Sequence, residues 1–504
     1  MTIFFAPLRL PPAPTERPAP LFRQLLELTW LQWAYFWVGW LAWTCDAIDF
    51  FSVSLSVTPL SAQFHKPTTS ITQAITLTLL FRSVGAVLFG VFSDRFGRKW
   101  PLVFNLLLIS VLQLGAGFVQ TFQQFLAVRS LFGIGMGGIW GLAASTALEN
   151  LPVGLRGLAS GVLQQGYAVG YLLAAVISLQ LVPAVSVGWR ALFWTAAGIS
   201  AFSGVLRALL PESAVFEKAR LAAETHGVVS EAQKTRVFLR ETGAMLKKHW
   251  LLCVYAVLLM TGFNFLSHGS QDLYPTYMHV TKGFTTHSAT IATIIGNCGA
   301  IAGGGFAGWI SQFLGRRITI VVFVLITACF IPLWIIPSTF SGLAAGAFCV
   351  QFGVQGAWGV IPIHLAEMAP PAFRATFPGV AYQLGNMVSS ASAQIEATGG
   401  DHLKTTLKGV VVADYAKVQG ILLGVVAAFV LFITIIGPEN HGSHFEKHRA
   451  AFDEGGGDDD AWIDDDGVHH ETGRAERDRD LEEKGSEERS STEKPARETE
   501  AAAA

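Results

Sequence analysis

The sequence predicts an all-α membrane protein of 12 transmembrane helices arranged as two six-helix halves, and three observations carry that expectation. First, 51% of its 504 residues are hydrophobic and 14% charged, with a mean hydropathy of +0.44, too apolar for a chain that must show water a polar surface on every side. Second, apolar windows of about twenty residues, the length that crosses hydrocarbon as a helix, fall at 32–59, 71–92, 101–119, 122–145, 158–182 and 189–210. Six more follow at 249–279, 288–313, 318–337, 340–365, 375–397 and 416–437. Third, the halves repeat at a constant offset of 218 residues (138 to 356, 149 to 367). Gly138, Trp140 and Gly141 recur as Gly356, Trp358 and Gly359; Glu149, Pro152, Arg156 and Gly161 recur as Glu367, Pro370, Arg374 and Gly379; Gly90, Gly97, Arg98 and Lys99 fall on Gly308, Gly315, Arg316 and Arg317. One register held over so many unlike residues marks a duplicated six-helix unit.

Taken in order, residues 1–30 form an N-terminal segment with Pro11, Pro12, Pro14, Pro18 and Pro20 beside Arg9, Arg17 and Arg23, and no short cleavable apolar segment precedes the first span. The N-terminal bundle is 31–210. The loop at 211–248 opens with Pro211-Glu212-Ser213 and continues in mixed charge suited to surface helices, without a catalytic constellation. The C-terminal bundle is 249–437. The tail, 438–504, carries Gly455-Gly-Gly, Asp458-Asp-Asp and Asp464-Asp-Asp; it is too polar to support a core, so disorder is expected, with regulatory binding of cytoplasmic partners as the functional alternative. From Glu439 onward there are 21 acidic and 9 basic residues, so the net charge of −2 hides a basic membrane body and an acidic tail. Basic loop residues from Arg95, Arg98 and Lys99 through Lys247, Lys248, Arg316, Arg317 and Arg374 share one side of this topology, against Lys66, Arg190, Lys282, Lys404, Lys408 and Lys417 on the other. The positive-inside rule then makes both termini and the central loop cytoplasmic. Cys45, Cys253, Cys298, Cys329 and Cys349 all lie in apolar spans and read as helix-packing residues; neither a disulfide framework nor a metal site is suggested. Nothing points to a cofactor, a nucleic acid or an enzyme.

The polar residues inside the spans are the informative ones. Asn264, His268, Asp272 and Thr276 fall four apart in the seventh window, so a continuous helix would gather them into one polar stripe, with Ser267, Ser270 and Gln271 beside it. Ionisable groups in hydrocarbon cost several kcal/mol unless they face a partner or a wet cavity, which makes this stripe a substrate or proton site by default; the alternative is a loop outside the membrane. The 218 offset sets Asp46, Asp49 and Ser54 of the first span opposite Asn264, Ser267 and Asp272, and Gln165 of the fifth opposite Gln383 of the eleventh, with Gln164, Tyr167 and Asn386 nearby. These suit hydrogen bonding to a small polar ligand where the repeats meet. Arg82 lies mid-span and needs an anion; Asp46 and Asp49 could neutralise it structurally, or its planar fork could take a substrate carboxylate, and the two readings are compatible. Arg129 reads as a partner for an acid of the first span ahead of a role in proton coupling. His364 reads as a local contact of Glu367, three residues on.

Gly90-Val-Phe-Ser-Asp94-Arg95-Phe-Gly97-Arg98-Lys99 matches, without a gap, the GxxxD(R/K)xGR(R/K) pattern between the second and third helices of major facilitator proteins, which the chain therefore resembles. Physically the segment is a conformational latch, its glycines allowing close helix approach and its basic residues lying at headgroup level; a basic turn that merely sets topology is the plainer reading. Gln312 and Phe313 replace Asp94 and Arg95 in the second half, so only the first latch is expected to keep its charge logic. Asn264-x-x-Ser267-His268-x-Ser270-Gln271-Asp272-x-x-x-Thr276 further resembles the NxxSHxSQDxxxT signature of fungal monocarboxylate:proton symporters, of the sialate:proton symporter branch.

That resemblance implies a plasma-membrane protein with a major facilitator fold, carrying lactate and pyruvate with protons through the lipid bilayer. It implies transport-critical roles for Asn264, His268, Asp272, Thr276, Gln383 and Asn386, with Arg82 as the candidate for the family's arginine. Lactate and pyruvate are anions at neutral pH, so accumulation against an inside-negative potential needs a co-transported cation, and no sodium-site cluster is legible. His268 and Asp272 are expected to act as one coupled proton site, with Asp46 or Asp49 as the fallback. A carrier of another organic anion, sialate-like or dicarboxylate, and a transporter-like nutrient sensor are the alternatives. Antiport is disfavoured because Gly161, Gly166 and Gly170 occur in the fifth span without an internal proline.

Overall fold

The computed structural model describes residues 7–10, 21–212, 217, 240, 242–369, 376–439, 461–463 and 469–471, with the backbone alone at 21, 94, 95, 153, 154, 376, 461–463 and 469–471. The side chains of Asp94, Arg95 and Arg374, the loop helices expected within 213–239 and most of the tail lie outside the described residues; in the tail, Ala461–Ile463 pairs antiparallel with His469–Glu471.

The first half contains α1 (Trp30–Leu55), α2 (Thr68–Phe96), α3 (Lys99–Ala116), α4 (Phe122–Met136, resuming at Ile139–Leu148), α5 (Val153–Gln180) and α6 (Arg190–Leu209). The second contains α7 (Trp250–Gln271, resuming at Tyr274–Val280), α8 (Thr286–Leu314), α9 (Arg316–Ile335), α10 (Phe340–Met368), α11 (Thr376–Ser389, resuming at Ser392–His402) and α12 (Tyr415–Ile436). Several starts are fixed by side-chain caps: Thr29 and Thr121 form capping boxes with Gln32 and Gln124, and Thr285, Thr339 and Asp414 cap α8, α10 and α12. Gly97 and Gly315, equivalent in the repeat, end α2 and α8 at φ 95° and 84°, a region that costs glycine little and other residues much.

Ten of these helices are long and apolar enough to cross a bilayer by length and composition. The other two are α1, 26 residues that include Asp46 and Asp49, and α11, divided into pieces of 14 and 11 residues. They are the spans that supply Asp46, Gln383 and Asn386, so their polarity belongs to the site they line.

The halves meet along α5–α8 and α2–α11. A Cβ on Gly161 would stand 2.5 Å from the Gly304 carbonyl oxygen and 2.9 Å from Gly308 Cα, so only glycine lets these backbones lie so close. One residue earlier, Ser160 Oγ donates to the Gly359 carbonyl (3.1 Å) and accepts from the Ile363 N–H (3.1 Å), tying α5 to α10. On the other pair, Thr72 donates to Gln394 (3.0 Å) and Thr76 to the Ser390 carbonyl (3.0 Å) at the break in α11. Between α11 and α12 the loop expected at 401–417 is a hairpin: β1 (Lys404–Leu407) pairs with β2 (Val410–Ala413) across Lys408 and Gly409, both at positive φ. Cys298 and Cys329 are exposed, not helix-packing as expected: they sit on the outward faces of α8 and α9.

Candidate functional site

The polar stripe of α7 is buried, but it is not one continuous helix. The helix stops at Gln271 and resumes at Tyr274, with Pro275 in the first turn of the new piece. Thr276 therefore belongs to a separate helical segment and not to the expected stripe. Asn264, Ser267, His268, Gln271 and Asp272 remain together. His268 is held from both sides: Nδ1 lies 3.2 and 3.1 Å from the two Asp272 oxygens, and Nε2 lies 3.1 Å from Asn386 Oδ1. Asn386 in turn donates to Gln383 Oε1 at 2.8 Å, so the α7 pair is continued onto α11 by the two residues singled out there. A histidine between a carboxylate and an amide oxygen has a fixed ring and a proton whose position the carboxylate governs. Asn264 donates to the Tyr382 carbonyl (3.2 Å), which fastens the same two helices.

On its other face the motif is held by α10, through residues that sequence reasoning missed. Gln271 Nε2 donates to Gln351 Oε1 (3.0 Å), Gln351 Nε2 donates to Ser270 Oγ (3.0 Å), and Gln355 donates to Ser267 (3.4 Å). Two glutamines buried in an apolar span were the available signal. Beside them is a small cavity lined by Tyr171, Gln271, Tyr274, Asn297 and Gln351, where Tyr274 Oη and Asn297 Oδ1 have no hydrogen-bond partner.

Across the molecule, Arg82 is buried with Nη2 3.1 Å from Asp46 Oδ2, while its Nε and Nη1 have no hydrogen-bond partner. The structural pairing with an internal acid is thus present, and two donors of the fork are left over. Around the guanidinium stands an aromatic wall: Tyr382 at 5.7 Å, itself 4.7 Å from Trp140 and 6.1 Å from Trp43, with Tyr167 stacked on Trp43 at 5.0 Å. Gln383 Nε2 and Trp43 Nε1 are also buried and unpartnered. Buried donors without acceptors are rare because each costs about 1–3 kcal/mol; here Arg82, Gln383 and Trp43 supply several of them.

Three expectations change. Gln165 does not join this cluster: its amide donates to the Ile301 carbonyl at 2.6 Å and links α5 to α8. Arg129 faces the α1 acids Asp49 and Asp46 through charge and not through a direct hydrogen bond: it donates to Gln113 (2.9 Å), Gln113 bridges to the Asp49 carbonyl, and the Asp49 carboxylate accepts from Ser200 (2.7 Å). His364 makes no hydrogen bond to Glu367, which is clamped by Arg316; both His364 ring nitrogens are buried without a hydrogen-bond partner.

Twelve helices in two repeated halves meeting around buried polar groups match a family model described as Major Facilitator Superfamily over residues 11–393. The chain belongs to this superfamily. It is a multi-pass membrane transporter and not an enzyme. It is 37% identical over 434 residues to a Saccharomyces cerevisiae protein named carboxylic acid transporter protein homolog, covering 82% of this chain and 70% of the relative. It is 28% identical over 370 residues to the cis,cis-muconate transport protein of Acinetobacter baylyi, covering 72% and 87%. Among solved structures, the proton:xylose symporter XylE matches with a TM-score of 0.65 over 82% of this chain and 98% of that one; at 18% identity the likeness is one of fold alone.

The repeat-equivalent segments after α2 and α8, read above as latches, both carry charge networks at the end that bears the basic loops. Arg98 pairs with Glu149 (3.2 Å) and donates to the Ser93 carbonyl (2.9 Å), while Glu212 accepts from the backbone N–H groups of Arg98 and Lys99, each at 3.0 Å. A carboxylate at the start of α3 complements the helix dipole. The second latch keeps more of this charge logic than its Gln312 and Phe313 suggest. Arg316 grips Glu367 with two parallel bonds of 3.0 Å, and Glu439 accepts from the N–H groups of Arg316 and Arg317.

Proposed function

We propose that this transporter takes up short monocarboxylates such as lactate and pyruvate together with protons, by alternating access in the plasma membrane. The observation that carries the reading is Arg82: a fully buried guanidinium with one nitrogen on Asp46, two nitrogens unpartnered, and an aromatic wall beside it. A small carboxylate can accept a charge-assisted bond from either unpartnered nitrogen along an edge shared with Nη2, and Gln383 can bind the remainder of a short acid. His268 and Asp272 supply a titratable pair joined through Asn386 to Gln383, so protonation and ligand binding act on one hydrogen-bonded chain. The relative named as a carboxylic acid transporter homolog supports the substrate class. Asp94, Arg95 and the residues of the first latch are assigned to alternation and not to ligand choice.

The test is uptake of labelled lactate by vesicles containing the purified full-length protein. An inside-alkaline gradient should drive accumulation above the external concentration and lactate entry should alkalinise the external medium; uptake indifferent to the gradient would overturn proton symport. A second reading, a carrier of larger or doubly charged organic anions, is favoured by the relative named for muconate. It predicts that a dicarboxylate, and not pyruvate, competes with the best substrate.

A further inference from the structure

Glu396, in the second piece of α11, is a fully buried acid to which neither the helix-7 motif nor the Arg82 cluster assigns a role. Its Oε2 accepts from Gln419 Nε2 of α12 at 2.6 Å, and its Oε1 lies 3.4 Å from Ser392 Oγ. Among the described residues no ion pair reaches it. The elements packed against this piece of α11 are α2, α7, α12 and β2. From α2, the neutral Thr72 bonds to Gln394, two residues before it. From α7 the charged group acting on it is Asp272, with His268 behind; from α12 come Gln419 and Tyr415; beyond β2 lies Asp414, and Asp401 and His402 follow on its own helix. No cation in that set balances its charge except through the histidine already held by Asp272. A buried, uncompensated carboxylate costs several kcal/mol, and a bound proton removes that cost.

Gln419 is suited to both forms. It is buried, its Nε2 serves the carboxylate, and its Oε1 has no partner. Turning the amide by half a rotation would offer an acceptor to a protonated Glu396, so one side chain can satisfy the charged and the neutral acid in turn. Position completes the argument. Asp401 is exposed at the hairpin end, Tyr415 packs on Gly400, Ser392 packs beside Gly269, next to His268, and Glu396 is about one helical turn from Ser392 toward the hairpin.

We propose that Glu396 is a proton carrier of this transporter, taking a proton from the hairpin end of the molecule and passing it to Asp272, with Gln419 as the switch that accommodates both states. One O–H bond breaks at Glu396 and one forms at Asp272, so charge and atoms balance. The proposal deepens the proton-symport reading and rests on it.

The experiment compares Glu396→Gln with wild type, both full length in vesicles, for gradient-driven accumulation, substrate-linked alkalinisation and counterflow without a gradient. The expected result is loss of accumulation and of alkalinisation, with counterflow persisting; a purely structural role would lower all three together and would overturn the proposal. Wild-type coupling in Glu396→Gln would overturn it as well. If wild type itself ignores the gradient, proton symport fails and Glu396 falls with it, so the two failures are distinguishable. Should the variant not be recovered folded, reaction of wild type with a hydrophobic carbodiimide decides. Labelling at Glu396 that increases as pH falls supports a protonated acid, and its absence at every pH overturns one.

Discussion

At the scale of single residues, Arg82 carries the sharpest expectation. Lysine in its place could keep a point charge beside Asp46 but would lose the planar fork and the unpartnered donors. Arg82→Lys should leave protein abundance near wild type and raise the KM for lactate by about 10–100-fold, the worth of a charge-assisted hydrogen bond of about 1.5–3 kcal/mol. An unchanged KM in correctly localised protein would remove the clamp. The residues of this cluster were partly legible in advance, because a guanidinium, an imidazole and a carboxylate inside apolar windows stand out by their cost alone. Glu396, Gln351, Gln355 and Tyr382 were less so: three are polar residues with no repeat equivalent to flag them, and Tyr382 is an aromatic that any core could hold. The repeat also misled at Gln165, whose matched residue Gln383 joins Asn386 while Gln165 reaches a backbone carbonyl of α8. Sequence symmetry fixes a position on a helix, whereas the rotamer follows from what the other half brings near.

At the scale of elements, the close approach of α5 and α8 across the two halves makes the clearest claim. Valine at Gly161 would drive its Cβ against the Gly304 carbonyl and Gly308 Cα, both backbone atoms that can yield only if α5 and α8 separate. Gly161→Val should therefore stop transport of every substrate while the protein still reaches the membrane. A cysteine at Ser160, buried against α10 in the parent, should become reactive to a water-soluble maleimide in the double variant; continued protection would mean that the contact is not a gate. Helix boundaries were readable to a few residues from the apolar windows, and the structure shows Thr29, Thr121 and Asp414 capping the starts of α1, α4 and α12. The break in α7 was harder to see. A four-residue polar spacing argues for continuity, whereas Pro275, tolerated in the first turn of a helix, marks a new start within that spacing.

At the scale of the whole molecule, the two latches differ in depth, and that difference should be measurable. The side chains of Arg316 and Glu367 are 2% and 3% exposed, those of Arg98 and Glu149 14% and 19%. Breaking a buried pair strands a charge at about 3–5 kcal/mol, whereas a more accessible pair is worth about 1 kcal/mol or less. Glu367→Gln should thus lower thermal stability in detergent far more than Glu149→Gln, and both should slow turnover without changing which acid is preferred. Equal losses of stability would show that burial of the second clamp is relieved in solution. The twofold architecture itself was legible from composition, window count and one register of repetition, because these depend on the solvent the chain must meet and not on side-chain detail. The hairpin after α11 escaped that reading, since no part of the first half repeats it.

The hairpin also gives the molecule a handle. Its strands pair Lys404 with Ala413 and Leu407 with Val410, so the chain leaves and re-enters the membrane body at nearly the same point, and Lys408 and Gly409 stand at the tip with exposed neighbours Val410 and Val411. A short peptide epitope threaded between Lys408 and Gly409 would ride on a paired stem outside the helical body. Antibody fragments bound there would add recognisable mass for imaging in any state of the cycle, and staining of intact cells would report which face of the membrane that tip occupies.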